Sequence, residues 1–153
     1  MVEGIQQQFE AFLLTKGLRR TKQREVVLAA AFSTKEHFTA EQLCEMARKL
    51  DSTTSRATVY RTLTLLVECG LLREIDLGRD VACYDPNFLD SPNHNHLICL
   101  DCGKVVEFED GHISVLEDCI TRRLGFAPAS KSIRIEANCE ELRRRGTCAT
   151  RKN

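Results

Sequence analysis

Residues 56–84 read RATVYRTLTLLVECGLLREIDLGRDVACY, and this stretch decides the fold. Val59, Leu63, Leu66 and Val67 recur at helical spacing along 56–70 and form a side made for packing. Ser55 supplies an N-cap oxygen just ahead of that helix, and Gly70 ends it. Two strand-like runs follow, 71–77 and 81–84, joined by the turn residues Gly78, Arg79 and Asp80, which predicts a hairpin.

Three helices are expected upstream. The first covers 4–16, with Ile5, Phe9, Phe12 and Leu13 on one side and Gly17 as its stop. Thr21 caps a second, whose buried side lies in 26–32. Thr39 caps a third, with Gln42 completing a capping box and Leu43, Met46, Ala47 and Leu50 as its apolar stripe. Three helices and a hairpin make a winged helix-turn-helix. The fourth helix is then the one to enter a major groove. Ser55, Arg56, Thr58, Tyr60 and Arg61 lie in its first turns, where they reach phosphates, thymine methyls or guanine edges. The segment 16–24, KGLRRTKQR, holds five basic residues and no acidic one, and Arg19 or Arg20 suits a minor-groove or phosphate contact. A solvated basic face is the competing reading, and the bulk charge does not decide it: 22 basic and 22 acidic residues cancel.

Residues 85–93, DPNFLDSPN, have the chemistry of a linker. Beyond them, 97–100 and 105–108 read as strands, 113–124 as a helix closed by Gly125, and 131–137 as a strand, ahead of a basic, cysteine-bearing tail. The expected class is α+β: a winged-helix DNA-binding domain over 1–84, a hinge over 85–93, and a second α/β domain over 94–153.

The chain has 153 residues, of which 42% are hydrophobic and 29% charged, as in ordinary globular proteins. No apolar run nears the roughly 18 residues of a membrane span. The opening MVEGIQQQFEAF lacks the pattern of a secretory leader, so a cytoplasmic location with no membrane partner is expected. In a reducing compartment the eight cysteines are better read as including metal ligands than as a disulfide framework.

Two donor sets emerge. Cys99 and Cys102 form a CxxC between strand-like flanks and are followed by Gly103 and Lys104, as in a zinc knuckle. Cys44, Cys69, Cys83 and Cys119 fall in apolar stretches, where free cysteine is a small buried hydrophobe. That leaves Cys139 and Cys148, in polar surroundings, to complete a structural Zn²⁺ site. A redox CxxC is the alternative, but such motifs open a helix, and these flanks read as strands. His94 and His96, two apart on an extended segment, point the same way. With His37, Asp85 and Glu107 they make a nitrogen and oxygen set suited to Fe²⁺, Mn²⁺ or Zn²⁺. Ordinary surface histidines are the competing reading.

The stretches HNHLICLDCGKVVEF, RATVYRTL and GLRRTKQR together resemble the ferric uptake regulator (Fur) family of bacterial metal-responsive repressors, in the right order over nearly the whole chain. The resemblance implies an N-terminal winged helix, a metal-binding α/β dimerisation domain over 94–153, and a homodimer on an AT-rich inverted repeat. It matches Tyr60 and Arg61 to base and backbone contacts, and Arg19 or Arg20 to the minor groove. Cys99, Cys102 and Cys139 match structural-zinc ligands, with Cys148 as a late fourth. His37, His94, His96 and Glu107 match the regulatory site, with Asp85 in its remaining carboxylate position. Asp85 resembles the peroxide-sensing branch (PerR), whereas Glu107 resembles the iron and zinc branches. A further His-rich site of many members falls here on Asn93, Asn95, Ser114 and Lys131, so that site is expected to be absent. A regulator rather than an enzyme is therefore expected, iron-responsive first, with no small-molecule substrate. A metal enzyme and a structural zinc adaptor are the readings it competes with.

Overall fold

The computed structural model describes residues 2–76, 81–87, 94–129, 131 and 133–148. The chain divides into two compact units, Met1–Pro92 and Asn93–Asn153.

In the first unit α1 (Val2–Thr15), α2 (Lys22–Ala31), α3 (Ala40–Leu50) and α4 (Arg56–Glu68) follow one another. Three of these begin on side-chain caps. Thr21 accepts the Arg24 N–H, Thr39 and Gln42 form a reciprocal capping box, and Ser55 accepts the Thr58 N–H. Gly17 and Gly70 follow α1 and α4 at positive φ, where a side chain is disfavoured. Phe9, Leu13, Val27, Leu28, Leu43, Val59, Leu63 and Leu66 are all buried in one core, joined by Leu71 and Leu72 just past α4.

A three-stranded antiparallel sheet completes this unit, in the order β1 (Phe38–Thr39), β3 (Cys83–Asp85), β2 (Arg73–Ile75). The hairpin expected after α4 is present as the β2–β3 pair, with Glu74 opposite Tyr84. Its tip, 77–80, lies outside the described residues, as does most of the proposed hinge, 88–93. β1 was not anticipated: it is two residues long and pairs Phe38 with Tyr84, far away in sequence. The apolar stripe of α3 also needs correction. Leu50 is exposed, and Cys44 takes the buried place with Leu43 and Ala47. Leu50 is the last residue of its helix, where the chain has already left the core.

The second unit is a sheet in the order β5 (Val105–Phe108), β4 (Asn95–Cys99), β6 (Arg134–Ala137), with α5 (Gly111–Arg123) and a short α6 (Glu140–Arg145). β4 runs antiparallel to β5 and parallel to β6. Asp110 caps α5 by accepting the His112 and Ile113 N–H groups. α6 forms within the stretch expected as a tail, and the sulfur of Cys139 caps it by accepting from Leu142 N–H. None of the residues of α5 is buried, and Cys119 on it is exposed rather than packed as expected. Among the described residues no helix is long and apolar enough to cross a membrane.

Candidate metal centres and DNA-facing helix

β4 carries donors at both ends. His94 stands just before it, His96 is its second residue and Cys99 its last. Alternation along the strand puts His94 and His96 on one face, and both are buried. Their Nε2 atoms are 3.1 Å apart and the rings meet edge to face. The β4–β5 register sets Glu107 directly opposite His96. One donor atom from each of His94, His96 and Glu107 then lies within 4.8 Å of the others. Two imidazole nitrogens on one ion at bonds of about 2.1 Å stand roughly 3.4 Å apart, so this set fits a divalent metal.

Within the first unit, His37 and Asp85 form a second group. His37 precedes β1, Asp85 ends β3, and Nε2 lies 3.9 Å from Oδ1. Asp85 is fully buried and accepts the Asn87 N–H at 2.7 Å.

The sulfurs of Cys99, Cys102 and Cys139 lie within 4.8 Å of one another. Tetrahedral thiolates around zinc stand about 3.8 Å apart, so these three fit the ion. A tight turn brings the first two together: Gly103 N–H donates to Cys99 C=O at 2.9 Å, with Gly103 at φ +70°. Asp101, between them, accepts the Cys139 N–H at 2.6 Å, and so fastens the third cysteine to the knuckle. Backbone N–H donation from Cys102 holds the Cys99 thiol below its ordinary range, with the Cys102 side chain and the Asp101 N–H adding to it. At Cys139 the Leu142 N–H pulls the thiol down, but burial and the neighbouring Cys148 thiol outweigh it and push it up. Cys148 is thus beside Cys139 without belonging to the three-sulfur cluster.

At the positions matched to a further site, Lys131 Nζ approaches Asp118 Oδ1 (2.5 Å) and Ser114 Oγ (3.1 Å), and Asn95 Oδ1 accepts the Ile133 N–H. Asn93 lies outside the described residues.

On α4, Ser55, Arg56, Tyr60 and Arg61 are exposed, whereas Thr58 is half-buried and its hydroxyl meets Ser55 and Gln23. Arg20 is paired with Glu10 and Glu25, and Arg19 is exposed. Two residues of these sites were not foreseen. Asp101 could have been noticed as a short acceptor inside the CxxC. Glu41, which touches both Arg56 and Tyr60, is 15 and 19 residues away from them and left no local signal.

A sequence model described as the Ferric uptake regulator family matches residues 15–136. The chain belongs to this family. The ferric uptake regulation protein of Campylobacter jejuni is 36% identical over 122 residues, 78% of this chain and 76% of the relative. The peroxide-responsive repressor PerR of Staphylococcus aureus is 28% identical over 143 residues, 92% of this chain and 95% of the relative. Among solved structures, the Helicobacter pylori regulator Fur, described as having three functional metal-binding sites, superposes with a TM-score of 0.82 at 25% identity, covering 94% of each chain. The fold is therefore that of the Fur regulators, and the donor clusters above are its candidate metal-binding groups.

Proposed function

We propose that this Fur-family protein is a cytoplasmic, metal-dependent transcriptional repressor, iron-responsive first, that binds an AT-rich inverted repeat as a homodimer when its regulatory metal is held. The observation that carries this is the nitrogen and oxygen set of His94, His96 and Glu107, separate from the sulfur set although His96 and Cys99 share β4. In this reading Cys99, Cys102, Cys139 and Cys148 hold a resident Zn²⁺. His94, His96 and Glu107 hold Fe²⁺, or Mn²⁺ or Zn²⁺, together with His37 and Asp85 from the first unit. A metal ion supplies one bonding centre that neutral imidazoles and carboxylates share. Joined there, His37 ties the DNA-binding unit to the dimer unit across a hinge over 85–93 and favours one orientation of α4. That bias, about 1–3 kcal/mol, changes DNA affinity roughly 5- to 150-fold.

Self-association is supported by the second unit's surface. Val106, Val115, Leu116, Leu124 and Phe126 are all exposed there, while Ile98 and Cys99 are its only buried apolar residues among those described. A unit with so little core is completed by metal and by a partner. Arg19 or Arg20, with Ser55, Arg56, Thr58, Tyr60 and Arg61, forms the DNA-contacting set.

The test is to load the cysteine site with zinc, then titrate Fe²⁺, Mn²⁺ and Zn²⁺ while following binding to an AT-rich inverted-repeat duplex. A steep gain with one metal is expected; no gain with any of them overturns the reading. Peroxide sensing is the second reading, favoured by Asp85 beside His37 and by the PerR relative. It predicts that brief peroxide, given with Fe²⁺ held, abolishes DNA binding. A zinc-responsive repressor is distinguished by the same titration.

A further inference from the structure

Glu41 lies in the first turn of α3, where the capping box of Thr39 and Gln42 fixes the backbone and a helix N-terminus favours a carboxylate. Its Oε1 accepts the Tyr60 hydroxyl at 2.6 Å and pairs with the Arg56 guanidinium. Arg56 in turn lies over the Tyr60 ring, 5.7 Å from its centroid. Arg56 and Tyr60 are four residues apart on the exposed side of α4, so one carboxylate holds both of the helix's first two long polar groups.

A carboxylate on a surface that meets DNA opposes every phosphate, whatever the sequence. Its presence there calls for a return. Phosphate contacts carry no sequence information, whereas base contacts do. An arginine already paired on one edge still has other N–H donors of its fork to offer a base, but it is a poorer partner for a passing phosphate. Fixed rotamers also lower the cost of ordering two long side chains at a base edge.

We infer that Glu41 is a specificity-determining, positioning residue of the DNA face: it holds Arg56 and Tyr60 in one arrangement and withholds Arg56 from non-specific phosphate contact. The inference rests on the proposal that α4 reads DNA.

The test uses the full-length protein loaded with whichever metal gives tightest binding. One duplex is that which the wild-type protein enriches from a randomised inverted-repeat pool; the other is its scrambled counterpart. Affinities for both are followed across a salt series. Glu41→Gln is expected to tighten binding to the scrambled duplex and steepen its log–log salt slope by about 0.9, one added phosphate contact. The ratio of selected to scrambled affinity falls by about five-fold or more. Glu41→Asp, which keeps the charge but withdraws it from α4, lowers the ratio too. Glu45→Gln, which removes a charge one turn along α3, shifts both duplexes together. If Glu41→Gln or Glu41→Asp leaves the ratio at the wild-type value while Arg56→Ala and Tyr60→Phe weaken binding, this inference fails and α4 remains the reading helix. If Arg56→Ala and Tyr60→Phe change neither affinity, or the wild-type protein enriches no duplex, the DNA-reading proposal fails and this inference with it.

Discussion

His96 and Glu107 face each other directly across the β4–β5 pair, one buried and one exposed. Opposed residues in an antiparallel pair stand close on the same face, so this imidazole and carboxylate are presented together by the sheet rather than by a loop. His96→Ala is expected to abolish the metal-dependent gain in operator affinity while leaving a folded dimer. Glu107→Ala, at an exposed position, should blunt the same gain with no loss of thermal stability. Titration of DNA binding against metal, with circular dichroism and sedimentation alongside, checks both. Full metal dependence in His96→Ala would remove His96 from the site.

The cysteine centre is expected to behave differently under mutation. The second unit buries little apolar surface of its own, so its fold leans on the sulfur cluster. Metal binding is folding free energy in such units, about 10–16 kcal/mol in small zinc-folded peptides. Cys99→Ser, or prolonged chelation of the wild-type protein, should release the zinc and unfold 94–148 while α1–α4 stay helical. Metal content by mass spectrometry and hydrogen exchange resolved by segment would show it. A protected, zinc-loaded second unit in Cys99→Ser would refute the assignment.

The basic segment before α2 gives a test of which arginine meets DNA. Arg20 is bound to Glu10 at 2.8 Å and also to Glu25, whereas Arg19 engages Arg24 through its backbone carbonyl, which accepts from that guanidinium. Arg19→Ala should therefore weaken DNA binding more than Arg20→Ala and flatten the salt slope by about 0.9. Equal losses in the two variants would mean that the carboxylates release Arg20 on binding.

Acid should loosen α5. The Ile113 N–H, and then the His112 N–H, hold the Asp110 carboxyl below the usual carboxylate range. A group depressed in the folded state stabilises it fully above its unfolded value, about 3.9, and loses that contribution as pH falls through the folded value. The stability difference between wild type and Asp110→Asn should thus shrink as pH falls below about 4. Denaturant melts at several pH values measure it; a difference that widens below about pH 4 would contradict the cap.

Local signals were legible and distant ones were not. Thr21, Thr39 with Gln42, and Ser55 announced their helices because a cap and the N–H groups it satisfies lie within three residues. His94 and His96 announced that they share one face because strand alternation needs only two residues to state. β1 was missed because two residues carry no periodicity, and its partner is β3, over 40 residues on. α6 was missed because its cap is a sulfur, outside the usual oxygen set. Glu41 was invisible because only the packing of α3 on α4 brings it to Arg56. Cys119 lies on a helix with enough apolar residues to predict burial, but in this unit that side is left exposed.

One strand serves both donor sets. Side chains alternate along β4, so a slip of one residue against β5 would turn His96 away from Glu107. Cys99, three residues on, is pinned at the far end by its knuckle and by Cys139, fastened through Asp101. The sulfur cluster is therefore an index mark from which the histidines are counted. On the proposed function, a cell starved of zinc would make a protein whose ruler has lost its zero, deaf to the second metal however abundant that metal became.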